Sequence, residues 1–318
     1  MRKIIKAPAK INLCLSVNGK RSDGYHDLTM IMQPVTLFDT IEIEILKEKD
    51  FGKIVSSTKK KHTSNKNHID YDLSFKISKQ IILKSNYSFI PTDEKNLIVK
   101  IFKYFFEKYN IKDKVYIYLK KMIPTCGGLG GGSSDAASVL LFLNSFYEKN
   151  LSKQELNDIA IKFGSDIPFF LYKKECLCEG KGEIITELNS FKDYYILLAT
   201  PNIRVSTKDI FEKFDNLEIN NNKSVTNIDK CIMAINSKDV KMLSNYIFND
   251  LETVTIPLHN EIISLKQVLL DCGALQSLMS GSGPTVFGIF NSFDKAQKCK
   301  KMLKYTVKDV FVYVAKPL

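Results

Sequence analysis

Long apolar runs are missing from this sequence, and none approaches the roughly 20 residues that a helix needs to cross a bilayer. The opening MRKIIKAPAKINL has neither a signal-peptide core with a cleavage site nor an Arg- and Ser-rich transit character, so the expected location is cytoplasmic. Arginine is scarce: of 46 basic residues only Arg2, Arg21 and Arg204 are arginines, although the formal net charge is +11. Arginine's planar fork does most reading of phosphates and guanines, so scattered lysine charge describes a solvated surface rather than a nucleic-acid footprint. Paired cysteines are lacking too. Seven cysteines lie scattered without a CxxC, with only Cys176 and Cys178 close together, which fits reduced thiols. The four histidines, His26, His62, His68 and His259, keep no ligand spacing to cysteines or to one another, and no metal-ligating set is expected.

What is present is ordinary for a soluble globular protein: 44% hydrophobic and 25% charged residues. A chain of 318 residues is long enough for two domains, and the expected division is 1–172 and 173–318. KINLCLSV (10–17) and TIEIEIL (40–46) read as strands on either side of the turn NGKRSDGYHD. The interval 51–87 is polar and lysine-rich and reads as an exposed loop or extended hairpin. NLIVKIFKYFFEKY (96–109) carries apolar residues at helical spacing, and KVYIYLKK (114–121) alternates like a strand. A second helix is expected to begin near Ser133, and SKQELNDIAIKFG (152–164) opens on a capping-box pattern. SDIPFFL is expected to break at Pro168 and resume as a strand. Beyond it the pattern predicts a strand at 194–200, helices at 208–214 and 260–271, the loop MSGSGPT before VFGIF, and a last helix and strand. The fold class is α+β.

Between the strand at 114–121 and the helix lies PTCGGLGGGSSDAA, with five glycines between positions 127 and 132. Glycines let several backbone N–H groups converge on one concavity, and a helix N-terminus directly behind it adds free donors and partial positive charge. An anion, above all a triphosphate, suits such a cradle. The same residues could simply form a tight helix start with serine caps. Two familiar templates fail: a Walker A loop needs Lys after its last glycine, where Ser133 stands, and the dinucleotide fingerprint from Gly128 meets a serine at its last position.

Three segments in this order, APAKINL, PTCGGLGGGSSDAA and MSGSGPTVFG, resemble the signatures of the GHMP kinases, the small-molecule kinases named after galactose, homoserine, mevalonate and phosphomevalonate. The resemblance extends through PAKINLCLSVNGKRSDGYHDL, GSDIPFFL and NDLE, and covers most of the chain outside 51–87. It is nearest to the branch whose acceptor is cytidine diphosphate-linked methylerythritol. It implies an N-terminal domain like ribosomal protein S5 domain 2, a C-terminal ferredoxin-like α/β sandwich, and ATP-dependent phosphorylation of an alcohol. ATP with Mg2+ is the implied cofactor. The implied partner is a small molecule, without nucleic acid or membrane, and the chain a monomer or weak homodimer.

By the same resemblance, Lys10 and Asp166 are the catalytic pair. Phosphoryl transfer to an alcohol needs positioning, charge neutralisation and an acceptor for the hydroxyl proton, which an aspartate with a lysine beside the developing alkoxide supplies. Taken alone, Asp166 before Ile-Pro could be a turn or cap residue, whereas a lysine inside an apolar strand needs a partner. Pro124, Thr125, Cys126, Gly127, Gly128, Leu129, Gly130, Gly131, Gly132, Ser133 and Ser134 are implied to hold ATP, with Asn96 and Lys121 near its nucleoside. Asn96 could equally cap its helix. Asn12, Tyr25, His26, Thr207 and Phe211, with Asp166, are implied to bind substrate: aromatic faces stack on the base and polar groups select cytosine. Phe211 could also be a core residue. A homoserine- or mevalonate-type kinase, and a non-catalytic RNA-binding module on the basic surface, are the other readings.

Overall fold

The computed structural model describes residues 1–48, 80–217 and 222–318, so most of the polar interval lies outside the described residues. The chain opens on two long antiparallel strands, β1 (Arg2–Lys20) and β2 (His26–Leu46). With β3 (Ile81–Ser85), β4 (Lys114–Lys120), β5 (Cys176–Gly180), β6 (Ile184–Glu187) and the two-residue β8 (Phe248–Asn249) they make a seven-stranded sheet. Its main path runs β3-β4-β2-β1-β8, with β5 on the far stretch of β2 and β6 beyond it. A second sheet has the antiparallel order β11-β7-β10-β9, from β7 (Tyr195–Thr200), β9 (Gln276–Met279), β10 (Val286–Phe290) and β11 (Phe311–Ala315). That order, with helices between its first and second and its third and fourth strands, is the expected ferredoxin-like arrangement.

Four helices follow or cover the first sheet: α1 (Leu97–Lys108), α2 (Gly131–Phe146), α3 (Lys153–Ala160) and α4 (Ile167–Phe170). α1 turns Ile98, Ile101, Phe102 and Phe105 inward, as its spacing predicts, and α3 starts on the expected capping box of Ser152 and Glu155. The second half carries α5 (Thr207–Phe214), α6 (Asn222–Ser237), α7 (Val240–Tyr246), α8 (Glu252–Leu258), α9 (Asn260–Asp271) and α10 (Phe293–Thr306). β1 is buried on both faces. Leu15 and Val17 join a core with α1 and α2, while Ile11, Leu13 and Cys14 join another with the second sheet. A bulge between Asn12 and Cys14 shifts the alternation and leaves Lys10, Asn12 and Leu15 facing one cleft.

Several expectations need correction. Residues 81–85, inside the interval read as loop, form β3, whose alternation is short and which is specified by parallel pairing with β4. α2 begins at Gly131, because Gly130 takes the left-handed cap conformation ahead of Ser133. IPFF is a helical turn rather than a strand: Pro168 sits in its first turn, where a missing N–H costs nothing. Helices α6, α7 and α8 were not predicted. β5 and β6 hydrogen-bond into the first sheet, so we propose that the first domain runs past residue 172 to Glu187. All seven cysteines are free thiols. No helix among the described residues is long and apolar enough to cross a membrane.

Candidate active site

The glycine segment is shaped first by what it must touch. Gly128 has φ +72°, and a Cβ there would stand 2.0 Å from the carbonyl oxygen of Ser280, so two glycine loops meet backbone to backbone. Ser280 Oγ donates to the Gly128 carbonyl at 3.0 Å. The C-terminal loop is itself held by Asn249, whose amide donates to the carbonyls of Met279 and Gly281 at 2.8 Å each, and by Glu252, which accepts from the Met279 N–H at 2.7 Å. These contacts give NDLE a role that the sequence reading did not supply. α2 begins its hydrogen bonding with Ser134 N–H to Gly130 O at 2.9 Å, and amides ahead of that point have no intrahelical acceptor.

Residues 124–133, apart from Leu129, line a cleft of about 660 Å3. Leu129 instead packs in the core shared with the second sheet, and its carbonyl accepts the Lys10 N–H at 3.0 Å. Its contribution is therefore backbone only, because an apolar side chain gains more in the core than over a polar cleft. Ser134 is also buried, and its Oγ has no partner among the described residues. Cys126 is exposed in the loop at φ 55°.

Lys10 and Asp166 come together in this cleft, with Nζ 3.9 Å from Oδ2. The lysine side chain is 5% exposed and the aspartate 35%. Burial pulls the Lys10 ammonium below its ordinary range, and the negative charge of Asp166 opposes that pull. Asn12 Oδ1 accepts from Lys10 Nζ at 2.5 Å, and its own Nδ2 faces Met30 Sδ at 3.4 Å. Asp166 precedes α4, yet its side chain makes no capping bond. Its carboxylate is thus available to the cleft, and the cap reading fails.

Behind the glycines lies a buried charge cluster that the sequence reading missed apart from Lys121. Lys121 Nζ pairs with Asp39 Oδ2 and, at 2.9 Å, with Asp135 Oδ2. Asp39 Oδ1 also accepts the N–H groups of Met122 (2.6 Å) and Ile123 (2.9 Å), fixing the chain just before Pro124. Burial works against the Lys121 charge, but Asp135 and Asp39 outweigh it and raise its pKa. Asp135 is pushed up to about 7 by burial, with Lys121 opposing and Asp39 adding. A cluster of two acids and one base has no sequence signature, since Asp39, Lys121 and Asp135 come from three elements. Asn96 lines the cleft, but its amide caps α1, accepting from Ile98 N–H at 2.9 Å and donating to Pro91 O at 2.7 Å.

At the other end, Thr207 and Phe211 of α5 line the cleft, and Thr207 Oγ1 lies 2.8 Å from Ser282 Oγ of the C-terminal loop. Phe211 is only partly buried and stacks on His26, with ring centroids 4.6 Å apart. Tyr25 is 56% exposed under the ammonium of Lys181, itself a cleft residue. His26 Nε2 lies 2.6 Å from Oδ1 of Asp215, a residue absent from the sequence reading.

The convergent amides, the Ser133 hydroxyl and the neighbouring ammonium of Lys10 fit an anionic phosphate chain, whereas Ser134, expected beside them, is buried and does not line the cleft. A family profile described as the GHMP kinases N terminal domain matches residues 96–174, and one described as GHMP kinases C terminal matches residues 231–309. The chain is 39% identical over 312 residues to a 4-diphosphocytidyl-2-C-methyl-D-erythritol kinase of Clostridium botulinum, covering 97% of this chain and 98% of the relative. It is 40% identical over 308 residues to the kinase of the same description from Clostridium beijerinckii, with 97% and 98% covered. A crystal structure of 4-(cytidine 5'-diphospho)-2C-methyl-D-erythritol kinase superimposes with a TM-score of 0.73 at 25% identity, all of both chains being covered. A homoserine kinase from Cytophaga hutchinsonii shares the fold with a TM-score of 0.72 at 18% identity, covering 100% of this chain and 94% of that one. Two glycine loops in backbone contact beside a lysine and an aspartate, together with near-complete coverage by these relatives, mean that the chain belongs to the GHMP kinase family, whose members use ATP as phosphate donor.

Proposed function

We propose that this chain transfers the terminal phosphoryl group of ATP to the 2-hydroxyl of 4-diphosphocytidyl-2-C-methyl-D-erythritol, a step of isoprenoid precursor biosynthesis. The observation that carries the chemistry is the Lys10–Asp166 pair, 3.9 Å apart in the cleft that the glycine loop borders. Asp166 accepts the proton of the hydroxyl, and the buried ammonium of Lys10 lies where negative charge grows on the attacking oxygen. Asn12 holds Lys10 and faces the acceptor. Loop amides from residues 127–133 bind the triphosphate, and Lys121 keeps the loop entry in place through Asp39 and Asp135. At the far end Tyr25, His26, Thr207 and Phe211 receive the cytidine, whose flat faces suit aromatic stacking.

Among the described residues no group of three or more His, Cys, Asp or Glu gathers as a metal site. The Ser133 hydroxyl in the cleft suits a magnesium ion carried by the triphosphate. Bound there, it supplies neutralisation of phosphate charge. The proposed working form is a cytoplasmic monomer or weak homodimer acting on small molecules.

The test is a coupled ADP-release assay with the cytidylyl alcohol, homoserine and mevalonate side by side. Turnover of the first alone is expected, since the other two lack a base for Tyr25 and Phe211. ADP release with homoserine or mevalonate instead would replace the reading.

A further inference from the structure

One ring nitrogen of His26 is committed. Nε2 lies 2.6 Å from Asp215 Oδ1, while Lys20 Nζ lies 2.6 Å from Asp215 Oδ2. Lys20 ends β1, His26 begins β2 and Asp215 closes α5, so this contact ties the first hairpin to the helix that follows β7. The imidazole is only 9% exposed and lies on the face of Phe211 with an interplanar angle of 25°. Stacking fixes the ring plane, and the carboxylate fixes its rotation within that plane. Neither His26 nor Asp215 is among the residues that line the cleft, but His26 lies on the ring of Phe211, which does, and Asp215 stands behind His26.

A carboxylate oxygen accepts and never donates, so the 2.6 Å contact requires the proton on Nε2. Lys20 already balances the carboxylate. An imidazolium would place two cations on one acid, whereas a neutral ring donating Nε2–H leaves the cluster balanced. The remaining nitrogen, Nδ1, is then an acceptor. Cytosine presents an amino donor at the position where uracil presents a carbonyl acceptor. An acceptor meeting an acceptor leaves both unpaired, which is the strongest form of rejection a binding site has.

We propose that Asp215 is a specificity-positioning residue: by accepting the Nε2 proton it holds His26 in the tautomer that accepts from a base amino group, and so selects cytosine over uracil. This rests on the cytidine-linked reading of the site. The experiment compares kcat/KM for the cytidine-linked alcohol and its uridine-linked counterpart in the full chain and in Asp215→Ala. The unsubstituted protein is expected to favour the cytidine form strongly, and the variant to lose roughly ten- to a hundred-fold in that ratio. A variant that loses equally on both acceptors overturns the proposal, because a purely structural contact does not distinguish the bases. If the unsubstituted protein turns over neither acceptor, the functional reading fails, and a second measurement still decides the tautomer. Nitrogen-15 spectra of labelled histidine at neutral pH should show His26 as the neutral Nε2–H form, with an Nδ1–H population appearing in Asp215→Ala. An imidazolium, or an Nδ1–H form in the unsubstituted protein, refutes it.

Discussion

The two ends of the cleft are built differently. At the phosphate end nearly every constraint is backbone against backbone or buried charge against buried charge: Gly128 on Ser280, Lys10 N–H on Leu129 O, Asp39 on two successive amides. At the proposed base end the parts are side chains, joined across the two halves by Asp215, with a stacked ring and a half-exposed tyrosine. The glycine-loop end tolerates little change, because a Cβ added at Gly128 or Gly130 would collide with the Ser280 backbone or the Phe170 ring. The base end can be retuned residue by residue, which suits a fold whose structural relatives phosphorylate acceptors as different as homoserine and mevalonate.

The sharpest way to break that contrast is Asp166→Asn. With the proton acceptor gone, kcat should fall by about 10³-fold, and ATP affinity should stay within about two-fold because the loop is untouched. Near-normal turnover in single-turnover kinetics would remove Asp166 from its role. Gly128→Ala comes next: a left-handed backbone costs about 1–2 kcal/mol for alanine, and its methyl would overlap the Ser280 carbonyl. Weakened nucleotide binding by about 10²-fold and a lower Tm are expected, and an alanine variant with unchanged ATP affinity would show that the two loops are free to part. At the base end, Tyr25→Ala should raise KM for the cytidylyl substrate about ten-fold with kcat retained, since stacking contributes about 1–3 kcal/mol per base. A fall in kcat at constant KM would move Tyr25 from binding to catalysis.

The smallest effect concerns Asp135. Its carboxyl is raised from 3.8 to about 7, so between those values the folded chain keeps a proton that the unfolded chain has released. Its stabilising contribution is complete below the lower value and is lost as pH rises through the upper one. Asp135→Asn keeps the protonated shape without the titration, and the fall in Tm between about pH 4 and 7 should flatten. A parallel pair of Tm profiles would place the titration elsewhere.

The contrast also explains what was legible in the sequence. Glycines 127–132 were readable because left-handed dihedrals and close backbone approach admit almost no other residue. α1 and α3 were readable from periodicity and capping, and β7 from its apolar run. β3 was not, because five residues beside a polar stretch carry little pattern and the partner strand specifies them. IPFF misled because an apolar quartet fits strand or helix, and Pro168 is harmless in a first turn. Within the site, Lys10 announced itself as a charge in an apolar strand. Asp39, Asp135, Asn249 and Asp215 did not, since ordinary polar residues gain their roles only from neighbours distant in sequence.

Lys10 faces the Asp166 carboxylate with its side chain and holds the glycine loop with its own main-chain amide, through the carbonyl of Leu129. One residue therefore links the proposed proton acceptor to the loop proposed to hold the phosphate donor. Under the proposed roles, that single backbone bond couples the position of the loop to that of the ammonium, which favours the alignment that in-line transfer needs.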